Sequence, residues 1–210
     1  MSQVKAAIFD IGGVLTSSPV MAIREYVNRE GADYTILGPM IADHDLAWSR
    51  WERSEITGEQ FIEQFEAEAV QRGVRISAQG VMDAAFGTQT VRDDMVAMVR
   101  FLRGKVRLGA ITNNVLRDDS RPRSLDIYDL FEHVIESAKA GIRKPDPRIY
   151  RMACEALEVE TGEAVFLDDI GANLKGAKSV GMLTIRVDAT DSAIGELENV
   201  LGFALPRGAK

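Results

Sequence analysis

Short apolar runs alternate with helical patterns along most of the chain. The clearest run covers residues 4–9 and leads into an aspartate and two glycines, and similar runs cover residues 106–111, 134–135, 164–167 and 183–187. A nearly continuous apolar run is typical of a strand that is buried on both faces of a parallel sheet. Since helical patterns separate most of these runs, the sequence predicts an α/β fold with a parallel sheet.

Residues 16–91 show only helical periodicity, including a capping box formed by Thr57 and Gln60. This segment has 12 acidic residues, 6 arginines and no lysine, so it carries −6 of the net charge of −7. We interpret the acidic surplus as solvated helix faces. The predicted organisation is an α/β core made of residues 1–15 and 92–210, with residues 16–91 as an all-helical insertion after the first strand.

Composition limits the function. The 210 residues suffice for one sizeable core with a modest second subdomain. A net charge of −7 argues against binding to nucleic acid, because such surfaces need clustered Lys and Arg. No stretch approaches a membrane span and no signal-peptide pattern is present, so we expect a cytoplasmic location. The sequence makes no prediction of the oligomeric state.

Four motifs carry candidate chemistry, and each lies at or near the carboxyl end of a predicted strand. They cover residues 9–15, 110–114, 141–147 and 165–173. Open α/β sheets bind ligands at this edge. Each motif alone also has a structural explanation, because turns, caps and solvated loops use the same residue types. Their joint placement favours one functional crevice.

The residue types in these motifs are suited to phosphate and metal chemistry. Thr112 and Asn113 can donate hydrogen bonds to phosphate oxygens. Lys144 precedes a predicted helix start, where an ammonium and the helix dipole act together on an anion. Asp168 and Asp169 repel each other unless a cation lies beside them, and Mg²⁺ prefers such oxygen ligands.

In this order, the four motifs resemble those of haloacid-dehalogenase-superfamily hydrolases. Residues 166–181 and 190–202 look most similar to the N-terminal phosphatase domain of soluble epoxide hydrolase. The first motif, with its two glycines, resembles the first motif of related domains that are fused to acyl-CoA dehydrogenases. The resemblance implies a Rossmann-like three-layer core with a parallel sheet. It also implies that the insertion is a small helical cap, which closes over the crevice and selects the substrate.

The resemblance further implies a magnesium-dependent phosphatase that acts on a small phosphorylated molecule. Asp10 would be the nucleophile that forms an aspartyl-phosphate. Mg²⁺ would be held by Asp10, the backbone carbonyl of Gly12 and Asp169, with Asp168 in support. The phosphoryl oxygens would be held by Thr112, Asn113 and Lys144, and Lys144 is also a catalytic residue in this scheme.

The chain departs from the family pattern at Gly12, where phosphatases usually carry an aspartate that protonates the leaving oxygen and later activates the hydrolytic water. Because the metal contact expected at this position is a main-chain carbonyl, the loss of the aspartate side chain should leave Mg²⁺ binding intact. It should slow acid–base catalysis by about 10² to 10⁴. Three explanations stay open: a leaving group that needs no acid, a weak or inactive enzyme, or an acid from the insertion. The candidate donors in the insertion are Asp43, His44 and Asp45.

Two other functions remain as alternatives. The first is a non-catalytic or regulatory binding module that keeps the fold, and the absence of an acid at Gly12 favours it. The second is a metal-independent dehalogenase, which would not need Asp168 and Asp169 beside the site. Interior packing is expected for Trp48 and Trp51. A solvated loop is expected for the charged residues after the second motif: Arg117, Asp118, Asp119, Arg121 and Arg123.

Overall fold

A five-stranded parallel sheet forms the centre of the protein. The computed structural model describes residues 3–87, 89–116 and 127–207. The strands are β1 (Ala6–Phe9), β2 (Arg107–Thr112), β3 (His133–Glu136), β4 (Ala164–Asp168) and β5 (Leu183–Arg186). Their order across the sheet is β3-β2-β1-β4-β5, and every neighbouring pair is parallel. The predicted α/β fold with a parallel sheet is confirmed.

Helices cover both faces of the sheet. On one face, α6 (Asp93–Leu102) and α10 (Thr190–Leu201) pack against the sheet in one hydrophobic cluster. On the other face, α8 (Pro147–Ala156) and α9 (Gly171–Ser179) pack in a second cluster. Successive side chains of β1 point to opposite faces, so all of them are buried. No helix in the described parts of the chain is long and apolar enough to cross a membrane.

Five helices form the helical insertion of residues 16–91. Their bounds are α1 (Pro19–Arg29), α2 (Tyr34–Ala42), α3 (Ala47–Glu52), α4 (Gly58–Gln71) and α5 (Ala78–Phe86). The predicted capping box is present at the start of α4, where Thr57 and Gln60 exchange hydrogen bonds. The helices enclose a hydrophobic cluster that is distinct from the two clusters around the sheet. The short helix α7 (Ser137–Ala140) follows β3.

The two connections between the helical insertion and the sheet lie side by side. Thr16 pairs with Val91 in an antiparallel bridge. The Ser17 N–H donates to the Thr90 carbonyl at 2.8 Å, and the Thr90 N–H donates to Ser17 Oγ at 3.1 Å. The insertion therefore enters and leaves the core at one place, close to the end of β1. Its behaviour as a separate subdomain stays a prediction.

Candidate active site

Three neighbouring strands bring predicted site residues to one edge of the sheet. Asp10 directly follows β1, Thr112 is the last residue of β2, and Asp168 is the last residue of β4. β1 lies between β2 and β4 in the sheet. Because parallel strands end at the same edge, Asp10 occupies the middle of this row, and all three residues are buried.

The Lys144 ammonium lies between two carboxylates. Lys144 Nζ is 2.8 Å from Asp10 Oδ1 and 2.8 Å from Asp168 Oδ2. The residue is only 1% exposed, so these carboxylates replace the solvation that the ammonium loses. Although burial opposes the charged form, the two carboxylates outweigh it and raise the pKa of Lys144. Lys144 is therefore a fixed positive charge beside Asp10.

Asp168 is held by several donors at once. The Ile170 N–H donates to Asp168 Oδ1 at 2.7 Å, and Asn173 Nδ2 lies 3.1 and 3.0 Å from Oδ1 and Oδ2. Both carboxylate oxygens are thus engaged, and Asp168 fixes the position of Lys144. No role for Asn173 was predicted from the sequence. Its place in the first turn of the helix after Asp168 was the available signal.

Asn113 holds the main chain of Lys144. Asn113 Nδ2 donates to the Lys144 carbonyl at 3.1 Å, and the Lys144 N–H donates to Asn113 Oδ1 at 2.9 Å. These paired hydrogen bonds tie the loop that carries Lys144 to the end of β2. The side-chain amide is therefore engaged with protein, and the predicted contact of Asn113 with phosphate stays a prediction.

The carboxylates of Asp10, Asp168 and Asp169 form an acidic cluster. Each offers an oxygen within 4.8 Å of the others. Asp169 Oδ2 accepts a hydrogen bond from Ser18 Oγ at 3.2 Å, whereas Asp169 Oδ1 is buried without a hydrogen-bond partner among the described residues. The hydrogen bond from Ser18 was not predicted from the sequence either, since Ser18 lies in the helical insertion.

The acidic cluster holds more negative charge than Lys144 can balance. Burial raises the pKa of Asp10. The positive charge of Lys144 opposes this shift, and the negative charges of Asp168 and Asp169 reinforce it. Burial and the negative charge of Asp168 also raise the pKa of Asp169. Three carboxylates beside one ammonium constitute a site whose charge a bound cation would balance.

Two glycines allow the backbone to pass close to this cluster. Gly13 has a φ of 85°, and a Cβ at this position would overlap the Asp169 carboxylate. Both features require glycine. A Cβ at Gly12 would lie 2.9 Å from Pro19 Cδ and 3.0 Å from Pro19 Cγ. The position of the missing acid is therefore obstructed by the first residue of α1.

The candidate donors from the helical insertion form hydrogen bonds within that segment. Asp43, His44 and Asp45 are exposed. Asp43 Oδ1 accepts from the Asp45 N–H at 3.0 Å, and Arg53 Nη1 donates to the His44 carbonyl at 2.9 Å. These contacts are those of a turn between α2 and α3. Donation of a proton to the leaving oxygen by any of the three stays a prediction.

Trp48 and Trp51 pack in the interior of the helical insertion. Trp48 is 4% exposed and Trp51 is 7% exposed. Trp51 stacks on Phe61 with ring centroids 4.3 Å apart, and Trp48 lies edge-on to the same ring. This is the packing role expected from the sequence. The residues for which a solvated loop was expected lie outside the described part of the chain: Arg117, Asp118, Asp119, Arg121 and Arg123.

The chain belongs to the haloacid dehalogenase-like hydrolase family, whose model matches residues 4–181. It is 36% identical, over 97% of its length, to mouse (Mus musculus) acyl-CoA dehydrogenase family member 10, of which it spans 20%. It is 32% identical, over 96% of its length, to pig (Sus scrofa) bifunctional epoxide hydrolase 2, of which it spans 39%. A phosphatase of Mycobacterium tuberculosis is 29% identical over 89% of this chain and 88% of its own length. The predicted family resemblance is confirmed.

Solved structures share this fold. A haloacid-dehalogenase family enzyme from Bacteroides thetaiotaomicron superimposes with a TM-score of 0.66 and 20% identity, covering 93% of this chain and 99% of its own. A complex of that enzyme with magnesium and inorganic phosphate has a TM-score of 0.59 and 20% identity, covering 87% of this chain and 93% of its own. At this identity the likeness shows the fold alone.

Proposed function

We propose that the protein is a magnesium-dependent phosphatase that hydrolyses a small phosphate ester or anhydride through an aspartyl-phosphate on Asp10. The observation that carries the proposal is the position of Asp10, between the Lys144 ammonium and the acidic cluster. This arrangement supplies a nucleophile and a fixed cation at the sheet edge where α/β proteins bind ligands. The phosphatase among the relatives supports the reaction class.

The residues present suit Mg²⁺. Asp169 Oδ1 is a buried carboxylate oxygen with no hydrogen-bond partner in the part of the chain that the structure describes, and hard divalent cations take ligands of this kind. Asp10, the Gly12 carbonyl and Asp169 would hold the ion, and Asp168 would support the site through Lys144 or a water molecule. When bound, Mg²⁺ would withdraw negative charge from the phosphoryl oxygens and so ease the approach of a carboxylate.

Asp10 is oriented for attack by its own contacts. Asp10 Oδ1 accepts hydrogen bonds from the Ile11 N–H at 2.7 Å and from Lys144 Nζ at 2.8 Å. The other carboxylate oxygen attacks phosphorus, the bond from phosphorus to the leaving oxygen breaks, and an aspartyl-phosphate forms. Water then attacks phosphorus and releases inorganic phosphate, which regenerates the carboxylate.

Lys144 and Thr112 stabilise the phosphoryl group in this scheme. The Lys144 ammonium neutralises charge that develops on the phosphoryl oxygens, and the Thr112 hydroxyl at the end of β2 donates a hydrogen bond. Asn113 keeps Lys144 in place through its main chain. The helical insertion would act as the cap that excludes water and selects a small phosphorylated substrate. A cytoplasmic location stays a prediction.

General acid–base catalysis is the weak part of this site, because Gly12 offers no proton to the leaving oxygen. The same feature favours a second candidate function, a non-catalytic binding module that keeps the fold and the metal. The two functions differ in turnover. Only the phosphatase releases inorganic phosphate in amounts that exceed the amount of protein.

A panel of phosphates tests the proposal. Sugar phosphates, lipid phosphates, aryl phosphates and acyl phosphates are incubated with the protein, with Mg²⁺ or with EDTA, and inorganic phosphate is measured. We expect Mg²⁺-dependent turnover of at least one class, and acid-quenched protein should carry a phosphoryl group on the peptide that contains Asp10. Binding without phosphate release would favour the non-catalytic module.

A further inference from the structure

The side-chain space at Gly12 is filled by Pro19. A Cβ at Gly12 would lie 2.9 Å from Pro19 Cδ and 3.0 Å from Pro19 Cγ. The first distance is shorter than real Cβ contacts, and the second is tighter than most of them. The proline ring is closed onto its own backbone nitrogen, so it cannot rotate away as a flexible side chain would. Even alanine at this position would force the start of α1 to move.

The start of α1 is held on both sides of Pro19. Before it, Ser17 is hydrogen-bonded to Thr90 in the second connection of the helical insertion. Ser18 Oγ donates to Asp169 Oδ2 at 3.2 Å, and the Ser18 carbonyl accepts from the Ala22 N–H at 3.1 Å. Moving Pro19 away from Gly12 would disturb these contacts, one of which reaches the acidic cluster.

We propose that the site favours acyl phosphates, whose leaving group departs without a proton, because Gly12 supplies no acid and Pro19 fills the space that an acidic side chain at position 12 would need. The inference rests on the proposed function and names its substrate class. It also favours one of the three explanations for Gly12, namely a leaving group that needs no acid.

The chemistry of the two half-reactions supports this substrate class. An acyl phosphate releases a carboxylate, and carboxylic acids have a pKa of about 4. An alkyl ester releases an alkoxide, which is a far stronger base than a carboxylate, so it needs a proton as the bond breaks. In the second half-reaction the leaving group is the Asp10 carboxylate itself. With an acyl phosphate the site therefore needs no leaving-group acid in either step, and the missing aspartate matters only as the base that would activate water in the second step.

The first test uses the unmodified protein. Rates of phosphate release with Mg²⁺ are compared for acetyl phosphate, 4-nitrophenyl phosphate and glycerol phosphate. We expect kcat/KM to fall in that order, with acetyl phosphate exceeding glycerol phosphate by about 10² to 10⁴, the usual contribution of a general acid. Equal kcat/KM values for acetyl and glycerol phosphate would overturn the inference and leave the proposed function intact. Phosphate release from none of the three would overturn the inference, and release from none of the wider panel of phosphates would overturn the proposed function as well.

The second test uses Gly12→Asp, Pro19→Ala and the double variant, since Pro19→Ala removes both obstructing carbon atoms. The double variant should gain more activity on glycerol phosphate than Gly12→Asp alone, and Pro19→Ala alone should gain none. A full gain in Gly12→Asp alone would overturn the role of Pro19.

The obstruction can also be measured without activity. Gly12→Ala should lower the free energy of unfolding, and Pro19→Ala in the same chain should recover part of that loss. Strictly additive effects of the two substitutions would show that Pro19 does not obstruct position 12, and would overturn the inference.

Discussion

Arg143 and Glu52 form a buried ion pair that joins the loop carrying Lys144 to the helical insertion, with Arg143 Nε 2.8 Å from Glu52 Oε2. Their side chains are 12% and 6% exposed. Arg143 also donates to Ser49 Oγ, and Glu52 Oε1 accepts a hydrogen bond from Trp48 Nε1 at 3.0 Å. The residue next to Lys144 is thus anchored in the aromatic interior of the insertion.

Removing one partner of the Arg143–Glu52 pair should destabilise the protein strongly. Glu52→Gln or Arg143→Met leaves an uncompensated buried charge or polar group, and we expect each to lower the free energy of unfolding by about 3–5 kcal/mol. The double variant should cost less than the sum of the two. Urea-induced unfolding measures all three values.

An exposed ion pair provides the matched control for this prediction. Arg186 Nε lies 2.8 Å from Asp188 Oδ1, but the side chains are 59% and 70% exposed. Because solvent screens this pair, Asp188→Asn should change the free energy of unfolding by about 1 kcal/mol or less. Additive single-variant effects at Arg143 and Glu52 would show that the two residues are not coupled.

Asp169 should determine the affinity for Mg²⁺. At a concentration of 100 times its dissociation constant, Mg²⁺ should stabilise the wild-type protein by about 2.7 kcal/mol. Asp169→Asn replaces the unpartnered oxygen with a weaker ligand, so a higher Mg²⁺ concentration should be needed for the same rise in Tm. Asp188→Asn serves as the control, and an identical Mg²⁺ response in Asp169→Asn and wild type would contradict the metal assignment.

Asn173 should act as a positioning residue. It holds both oxygens of Asp168, which in turn holds Lys144. We expect Asn173→Ala to lower kcat by about 10- to 100-fold, as is common for residues that orient the groups of a metal site, with a smaller effect on KM. Asn28→Ala, at an exposed position of α1, is the control. A change confined to thermal stability would assign Asn173 a purely structural role.

The pattern of apolar runs predicted the sheet because its central strands are buried on both faces. β1 and β4 are buried throughout, and both lie inside predicted runs apart from the terminal Asp168. β3 (His133–Glu136) was predicted over only two residues, since this edge strand is partly exposed and carries polar residues at both ends. A strand with polar residues at both ends gives a weaker apolar signal.

The sequence indicated which strand ends carry the residues of the candidate site, but not the contacts that these residues make. The placement of Asp10, Asp168 and Asp169 follows from where their strands end. By contrast, the contact between Gly12 and Pro19 depends on how the helical insertion meets the sheet, and the paired hydrogen bonds of Asn113 depend on a distant loop. Such contacts join positions that share no local periodicity, so patterns along the sequence do not reveal them.

The role of Asp10 as the nucleophile is tested by the phosphate-release rate of Asp10→Asn, measured beside wild type and Asp188→Asn. With Mg²⁺ and acetyl phosphate, we predict that Asp10→Asn loses activity down to background, a loss of about 10⁶-fold or to the detection limit. Asp188→Asn should match wild type, because its side chain is 70% exposed and paired only at the surface. Undiminished phosphate release by Asp10→Asn would contradict the account.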